Sequence, residues 1–528
     1  MNTQYDIAVI GSGFAGSLLA MIARRLGHSV VLIEKGTHPR VVIGESSTPL
    51  ANLLFEELCL RYDLPTLKPL VKWGSWQRAH PEVACGLKRG FTFHHHLFDG
   101  ERSFDPEHRD QLLVAASPHD EISDTHWYRA DFDHFMVQEA QRLGVDYFDR
   151  VALQNYVDEL DGVRLRGERA GRGVEFRARF VVDATGPRGF LHRALGLSEL
   201  PLPDYPATQS LYSHFSGVGR LERTAFSRTD GQPPYPIDDA AVHHVFNGGW
   251  IWVLQFNNGM TSAGVAATDE FAAQLGFQEG AVAWQRLLDR LPALKAQFAN
   301  AHAERPFTHM PRLAFRSSAI AGEHWALLPS AAGFVDPLLS TGFPLTLLGI
   351  KRVAEIIEST WDSEDFVPRL RNYSQHTDVE LLATARLIGT LYANMNRFDV
   401  FVALTLLYFA AASYAESARR LQKPQLAPSF LLSTHPEFGP ACDEIYVRAR
   451  HRLTDGEAEA LIAKIHAVIE PINVAGLGRR DRRNWYPVEA DDMLNAAAKL
   501  DASRDEVEAL LKRCGFVCEA TSDRGAMA

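Results

Sequence analysis

The chain has 528 residues, 46% of them hydrophobic and 23% charged, with a formal net charge of −11. This is the composition of a globular protein with two or three structural units, and its acidic balance argues against general affinity for nucleic acid or acidic membrane. Five scattered cysteines, Cys59, Cys85, Cys442, Cys514 and Cys518, form neither a disulfide framework nor a metal motif, and the last two read as structural thiols.

Met1 to Gln4 is too short and polar for a signal peptide, so the expected location is cytoplasmic. Residues 5–10 then read as a buried strand that runs into Gly11-Ser12-Gly13-Phe14-Ala15-Gly16. Residues 17–26 read as a helix with Leu18, Leu19, Ile22 and Leu26 on one face. Gly11 allows the turn, Gly13 admits a pyrophosphate, and Gly16 brings the helix onto the sheet. A second strand, 29–33, ends in Glu34, about twenty residues beyond the glycines, where a carboxylate accepts a ribose hydroxyl. An acid there favours FAD or NAD over NADP. Phe14, Ala15 and Lys35 join the expected cofactor contacts.

Gly44-Glu45-Ser46-Ser47-Thr48-Pro49 follows, leading into a helix over 49–60. Residues 68–105, rich in Gly, Trp, Phe and His, read as strands and loops. They include His94-His95-His96, of which only His94 and His96 would share a strand face. No acid or cysteine at motif spacing supports a metal there, so these histidines read as solvated or substrate-lining, with one a candidate general base. Residues 132–143 form an amphipathic helix. Residues 180–187 are a strand ending in Ala184-Thr185-Gly186-Pro187, and residues 208–266 alternate as a second sheet. Trp325 opens a further strand that leads into Ser330 and Gly333. From about 346 the pattern is helical, with an apolar run at 401–414 too short to span a membrane, so no stable membrane insertion is expected. Residues 422–440 read as irregular. Arg479-Arg480-Asp481-Arg482-Arg483 reads as a solvated face, with docking of an acidic carrier as the sharper alternative.

The fold class expected is α/β: a Rossmann-like dinucleotide-binding domain over 1–200, completed by 320–360. A sheet-rich substrate domain occupies 201–319 and a helical region 361–528.

Five stretches, Gly11 to Gly16, Gly44 to Pro49, Trp127 to Gly144, Asp183 to Pro187 and Ala331 to Gly342, together resemble the flavoprotein monooxygenase superfamily, in the glutathione-reductase and hydroxybenzoate-hydroxylase mould. Within it they resemble the flavin-dependent halogenases and their close relatives. The resemblance implies FAD reduced from outside by a separate flavin reductase and then reacting with oxygen. FAD would be held by Arg129, Ala184, Thr185, Gly186, Ser330, Gly333, Asp336, Pro337, Ser340, Thr341 and Gly342, besides the first two motifs. Thr341 and Gly342 would also mark the place of oxygen activation and the halide. A catalytic lysine is implied in the segment after the Gly44 motif. Lys72, beside Trp73, is the candidate, ahead of Lys68 and Lys88.

Three positions depart from the family pattern. Gly249-Trp250-Ile251-Trp252-Val253-Leu254-Gln255 keeps two tryptophans but has Leu254-Gln255 where Ile-Pro is expected. Leu339 stands where tryptophan halogenases carry glutamate. Pro329-Ser330 stands where Gly-Asp is common. The substrate implied is aromatic, small or carrier-bound, against Trp73, His94, His96, Trp250 and Trp252, and halogenation and hydroxylation both remain open. Oxidative maturation of a protein side chain, reduction of an isoprenoid-type double bond, and FAD binding without turnover are the alternatives.

Overall fold

The computed structural model describes residues 4–98, 105, 107–223 and 231–516; Cys518 lies outside them. The strand Gln4–Ile10 anchors the first sheet. Ile7, Ala8 and Val9 are fully buried, as a strand covered on both faces requires. It pairs in parallel with Val30–Ile33 on one side and Arg172–Asp183 on the other. Asp146–Phe148 and Trp325–Leu327 extend the parallel set, while Gly162–Arg169 and Val151–Glu159 add antiparallel strands. The helix Phe14–Arg25 leaves the first strand through the glycine turn and packs against the helices Arg129–Arg142 and Gly342–Thr360.

The second sheet is nine-stranded. Thr208–Ser216, Met260–Thr268, Gly249–Gln255 and Ala241–Phe246 form its antiparallel centre. The expected domain limits need redrawing here. Gly90–His95 pairs in parallel with Ala241–Phe246, Gln111–Ala115 pairs with Gly90–His95, and Trp485–Tyr486 caps that edge. The sheet therefore takes two strands from within the first 200 residues and one from the C-terminal region. Ala241–Phe246 is buried throughout and needs a partner on both edges. Gly90 permits the close approach, since a Cβ there would meet the Val114 carbonyl oxygen at 2.3 Å.

The C-terminal helices are Phe366–Ala393, Phe398–Arg420, Phe438–Ala449 and Asp455–Ile469, with shorter ones after them. Phe398–Arg420 is apolar nearly all round and is long enough to cross a membrane. Within this fold, 83% of its most apolar stretch is buried against protein, the condition under which an all-apolar helix serves as core.

Candidate active site

Gly11 adopts φ +95°, and a Cβ there would press on the Ala184 carbonyl oxygen at 2.8 Å. A Cβ on Gly16 would fall 1.9 Å from the Gly11 carbonyl oxygen. The glycine turn is thus wedged between strand and helix with no room for side chains. Glu34 ends the second strand, buried, and accepts from the Ser12 N–H and hydroxyl, both at 3.0 Å, and from the Gly36 N–H at 2.8 Å. Burial pushes its carboxyl up, but Arg40 at 3.3 Å and these donors outweigh burial and hold it below the usual range. Lys35, by contrast, points into solvent.

From the glycine turn a cavity of about 420 Å³ runs along Gly13–Ala15, Gly44–Ser46, Ala184–Pro187 and Ser330 to Ser340–Gly342. Its elements converge from both sheets. Arg129 grips Asp133 through two hydrogen bonds of 2.8 Å, donates to the Gly44 carbonyl at 2.8 Å, and lies over the Phe14 ring. That fixes the Gly44 loop, itself at φ +86°, against the glycine-turn helix. Asp183 holds Thr185 through both its N–H and hydroxyl. Trp250, Trp252 and His243 close the cavity from the second sheet. The two tryptophans, expected on substrate, therefore line this cavity instead. Burial first, and then Lys88, pushes His243 down to about 3, so its imidazole is neutral.

Asp336 is buried at the far end. Its carboxylate accepts from Trp250 Nε1 at 3.2 Å, the Tyr205 hydroxyl at 2.7 Å, the Tyr392 hydroxyl at 2.9 Å and the Leu338 N–H at 2.9 Å. Burial raises it to about 6 against the pull of these donors. The chain then passes through two consecutive left-handed residues, Leu339 at φ +63° and Ser340 at φ +55°, a conformation that costs non-glycine residues roughly 1–2 kcal/mol each. The Tyr408 hydroxyl donates to the Leu339 carbonyl at 2.9 Å. The turn delivers Ser340, Thr341 and Gly342 to the cavity wall, where the helix Gly342–Thr360 begins and its first N–H groups open onto an anion-favouring end.

The lysine position needs correcting. Lys72 caps the short helix Trp73–Ala79, is partly exposed, and reaches buried Asp124 at 3.6 Å. It lies on the wall of a second cavity, the one that Phe91 and Tyr408 also line. Lys88 is the fully buried one. Its ammonium donates to the Ser46 hydroxyl at 2.8 Å and to the Ser47 carbonyl, and lies 3.8 Å from the centre of the Phe91 ring. Burial pushes it down to about 7, with Asp124, its cross-strand neighbour, opposing. Ser46 lines the first cavity. Phe91 lines the second, of about 400 Å³, with Pro49, Leu50, Tyr408, Phe409 and Phe516, edged by the Glu416–Arg420 pair. Lys88 lines neither cavity itself but touches one wall residue of each, Ser46 and Phe91.

The rest of the Gly44 motif is divided between tasks. Glu45 pairs with His214 at 2.8 Å, both buried, while the Ser47 hydroxyl donates to the Thr125 carbonyl. The Thr48 side chain caps the helix Pro49–Arg61 through the Ala51 N–H and borders the second cavity. Ser47 and Thr48 are outside the first cavity's wall. Trp73, His94 and His96 line neither cavity. His96 meets His244 at 2.9 Å, and among the described residues no group of His, Cys, Asp and Glu is arranged to hold a metal. Arg479 and Arg482 are tied to Asp481, Glu489 and Asp492, and Arg483 reaches Glu107. His214, His243 and Tyr408 gave no motif signal; each lies in a strand or helix whose pattern reads simply as core.

A tryptophan halogenase family model matches residues 124–402, and an NAD(P)-binding Rossmann-like domain model matches residues 9–48. The chain is 30% identical over 393 residues to the monodechloroaminopyrrolnitrin halogenase of Pseudomonas fluorescens, covering 72% of this chain and 66% of that one, just under two thirds of its length. It is 28% identical to the tetracycline 7-halogenase of Kitasatospora aureofaciens, over 78% of this chain and 74% of that protein. In fold it is similar to the crystal structure of halogenase PltM in complex with phloroglucinol and FAD, with a TM-score of 0.80 and 24% identity over 91% of this chain and 99% of that one.

Proposed function

The chain belongs to the tryptophan halogenase family of flavin-dependent enzymes, and we propose that it halogenates a free small aromatic compound, with Lys88 handling the electrophile. FAD is the cofactor, and the glycine turn, the Glu34 carboxylate and the long first cavity fit it: phosphate at Gly11–Gly16, ribose at Glu34, ring end toward Ser340–Gly342. When bound and reduced, it would activate oxygen, the oxidant that converts halide to hypohalous acid. The N-terminal end of Gly342–Thr360 offers the halide its place. The observation that carries the reading is Lys88, whose contacts belong to the cofactor cavity on one side and the aromatic-lined cavity on the other.

At Lys88 the ammonium donates to the oxygen of hypohalous acid. The oxygen–halogen bond breaks as a carbon–halogen bond forms on the ring, and the oxygen leaves as water with the lysine's proton. The neutral amine then takes the proton from the halogenated ring carbon. An amine near pH 7 suits both transfers. Leu339, in place of the glutamate, leaves the Leu339–Gly342 turn with no carboxylate to offer the reaction. The second cavity, apolar with a charged edge and walled in part by residues between 474 and 516, favours a free phenol, aniline or pyrrole over one on a carrier arm. A separate reductase would supply reduced FAD. Hydroxylation without halide, side-chain maturation and isoprenoid reduction gain no support from these relatives.

The test is turnover with reduced FAD, oxygen and bromide on a panel of phenols, anilines and pyrroles, read by mass spectrometry. Replacement of hydrogen by bromine is expected. Hydroxylated products with no brominated one would sink the reading. Gly16→Ala is expected to purify without flavin colour, because its methyl group would collide with the Gly11 carbonyl; normal flavin content would refute the cofactor placement.

A further inference from the structure

Tyr408 faces the second cavity, yet its hydroxyl ends on the turn that borders the first. Its acceptor, the Leu339 carbonyl, belongs to one of the two left-handed non-glycine residues just before Thr341 and Gly342. The other end of this turn is pinned by four donors on Asp336. The Leu339 end is where an added hydrogen bond can tip the turn. The next residue, Phe409, meets Phe91 edge-on at 5.0 Å, and Phe91 carries the Lys88 ammonium. One step of the helix Phe398–Arg420 therefore touches the anion turn and the lysine support together.

We propose that Tyr408 is a positioning residue coupling occupancy of the aromatic cavity to halide binding at the Leu339–Gly342 turn, each ligand tightening the other. This rests on the function proposed above. The sign follows from order. Leu339 is fully buried and Tyr408 nearly so, so the hydrogen bond between them is already dry. An aromatic ligand packed on the Tyr408 ring restrains that ring, and the ordering cost is then already met for the turn its hydroxyl holds. The turn is then held in its left-handed form, with the helix N-terminus presented to the anion. The coupling must be reciprocal, and one hydrogen bond's worth is roughly fivefold.

The experiment is calorimetric titration of the oxidised FAD enzyme, without turnover, using bromide and phloroglucinol as probes. In the wild type, saturating phloroglucinol should lower the bromide Kd roughly fivefold, and bromide should lower the phloroglucinol Kd by the same factor. In Tyr408→Phe both factors should fall to about one. In the wild type, hydrogen exchange at Ser340–Gly342 should slow when phloroglucinol is added, a readout that needs no variant. Coupling that survives Tyr408→Phe, or is absent from the wild type, or unchanged exchange, overturns the proposal. Absence of bromide binding in any state overturns both this and the halogenase reading. Normal bromination by the wild type with no coupling overturns this inference alone.

Discussion

Lys88→Ala is expected to abolish bromination, by roughly 10²- to 10⁴-fold, the range for losing a positioned proton donor. Reduced FAD should still be consumed by oxygen, because Lys88 lies beyond Ser46 on the far wall of the cofactor cavity. Product and oxygen uptake, measured in parallel with a hypohalite trap, check this. Untouched bromination would remove Lys88 from the mechanism. Lys72→Ala should cost far less than Lys88→Ala, since its ammonium is partly exposed and 3.6 Å from Asp124. The pH profile follows from the ammonium's role. Burial brings Lys88 from 10.5 to about 7, so the proton is lost as pH rises through 7, and kcat/KM on a pyrrole, which does not titrate there, should fall. Lys88→Arg, charged throughout, should be slower but flat. Stability has its own sign. Between pH 7 and 10.5 the unfolded chain holds a proton that the folded one has shed. The penalty of burying this charge is therefore full below about pH 7 and is relieved as pH rises. Lys88→Met should accordingly raise the melting temperature more at pH 6 than at pH 9.

Much of the cofactor half was legible because its residues act locally. Gly11, Gly16 and Glu34 are read from spacing, and their reasons are backbone clashes and a strand end. The second cavity was not legible. Phe91, Tyr408 and Phe516 are distant in sequence, and nothing periodic marks them as neighbours. Lys72 was chosen because tryptophans flank it, but its ammonium is partly exposed and pairs with Asp124. Lys88 looked ordinary between Leu87 and Arg89, and its burial depends on strand Asp124–Trp127 pairing alongside. Trp250 and Trp252 were expected against substrate and line the first cavity; alternation along a strand assigns two faces without saying which cavity each face meets. The domain limits failed for a similar reason: a sheet recruits edge partners from anywhere in the chain.

Asp336→Ala should be the most destabilising single change near the cofactor. It strands four buried donors at once, the Leu338 N–H, Trp250 Nε1 and the hydroxyls of Tyr205 and Tyr392. Each unsatisfied donor costs about 1–3 kcal/mol, and water entering the vacated space returns part of this, leaving a loss on the order of 4 kcal/mol. Asp336→Asn keeps one acceptor and the volume, so its loss should be about half as large. The wild-type carboxyl ionises at 3.8 when unfolded and near 6 when folded. Between those values the folded state keeps a proton that the unfolded state has lost. Wild-type stability therefore falls as pH rises from 3.8 to 6 and is flat above, a span worth roughly 3 kcal/mol. The cost of Asp336→Ala should thus be larger at pH 4.5 than at pH 8, read from urea melts of both proteins. Equal losses at the two pH values, or a loss below about 1 kcal/mol, would mean that the turn ahead of Gly342 is held by its own backbone, and that the tryptophan of the sheet and the two tyrosines only fill space around it.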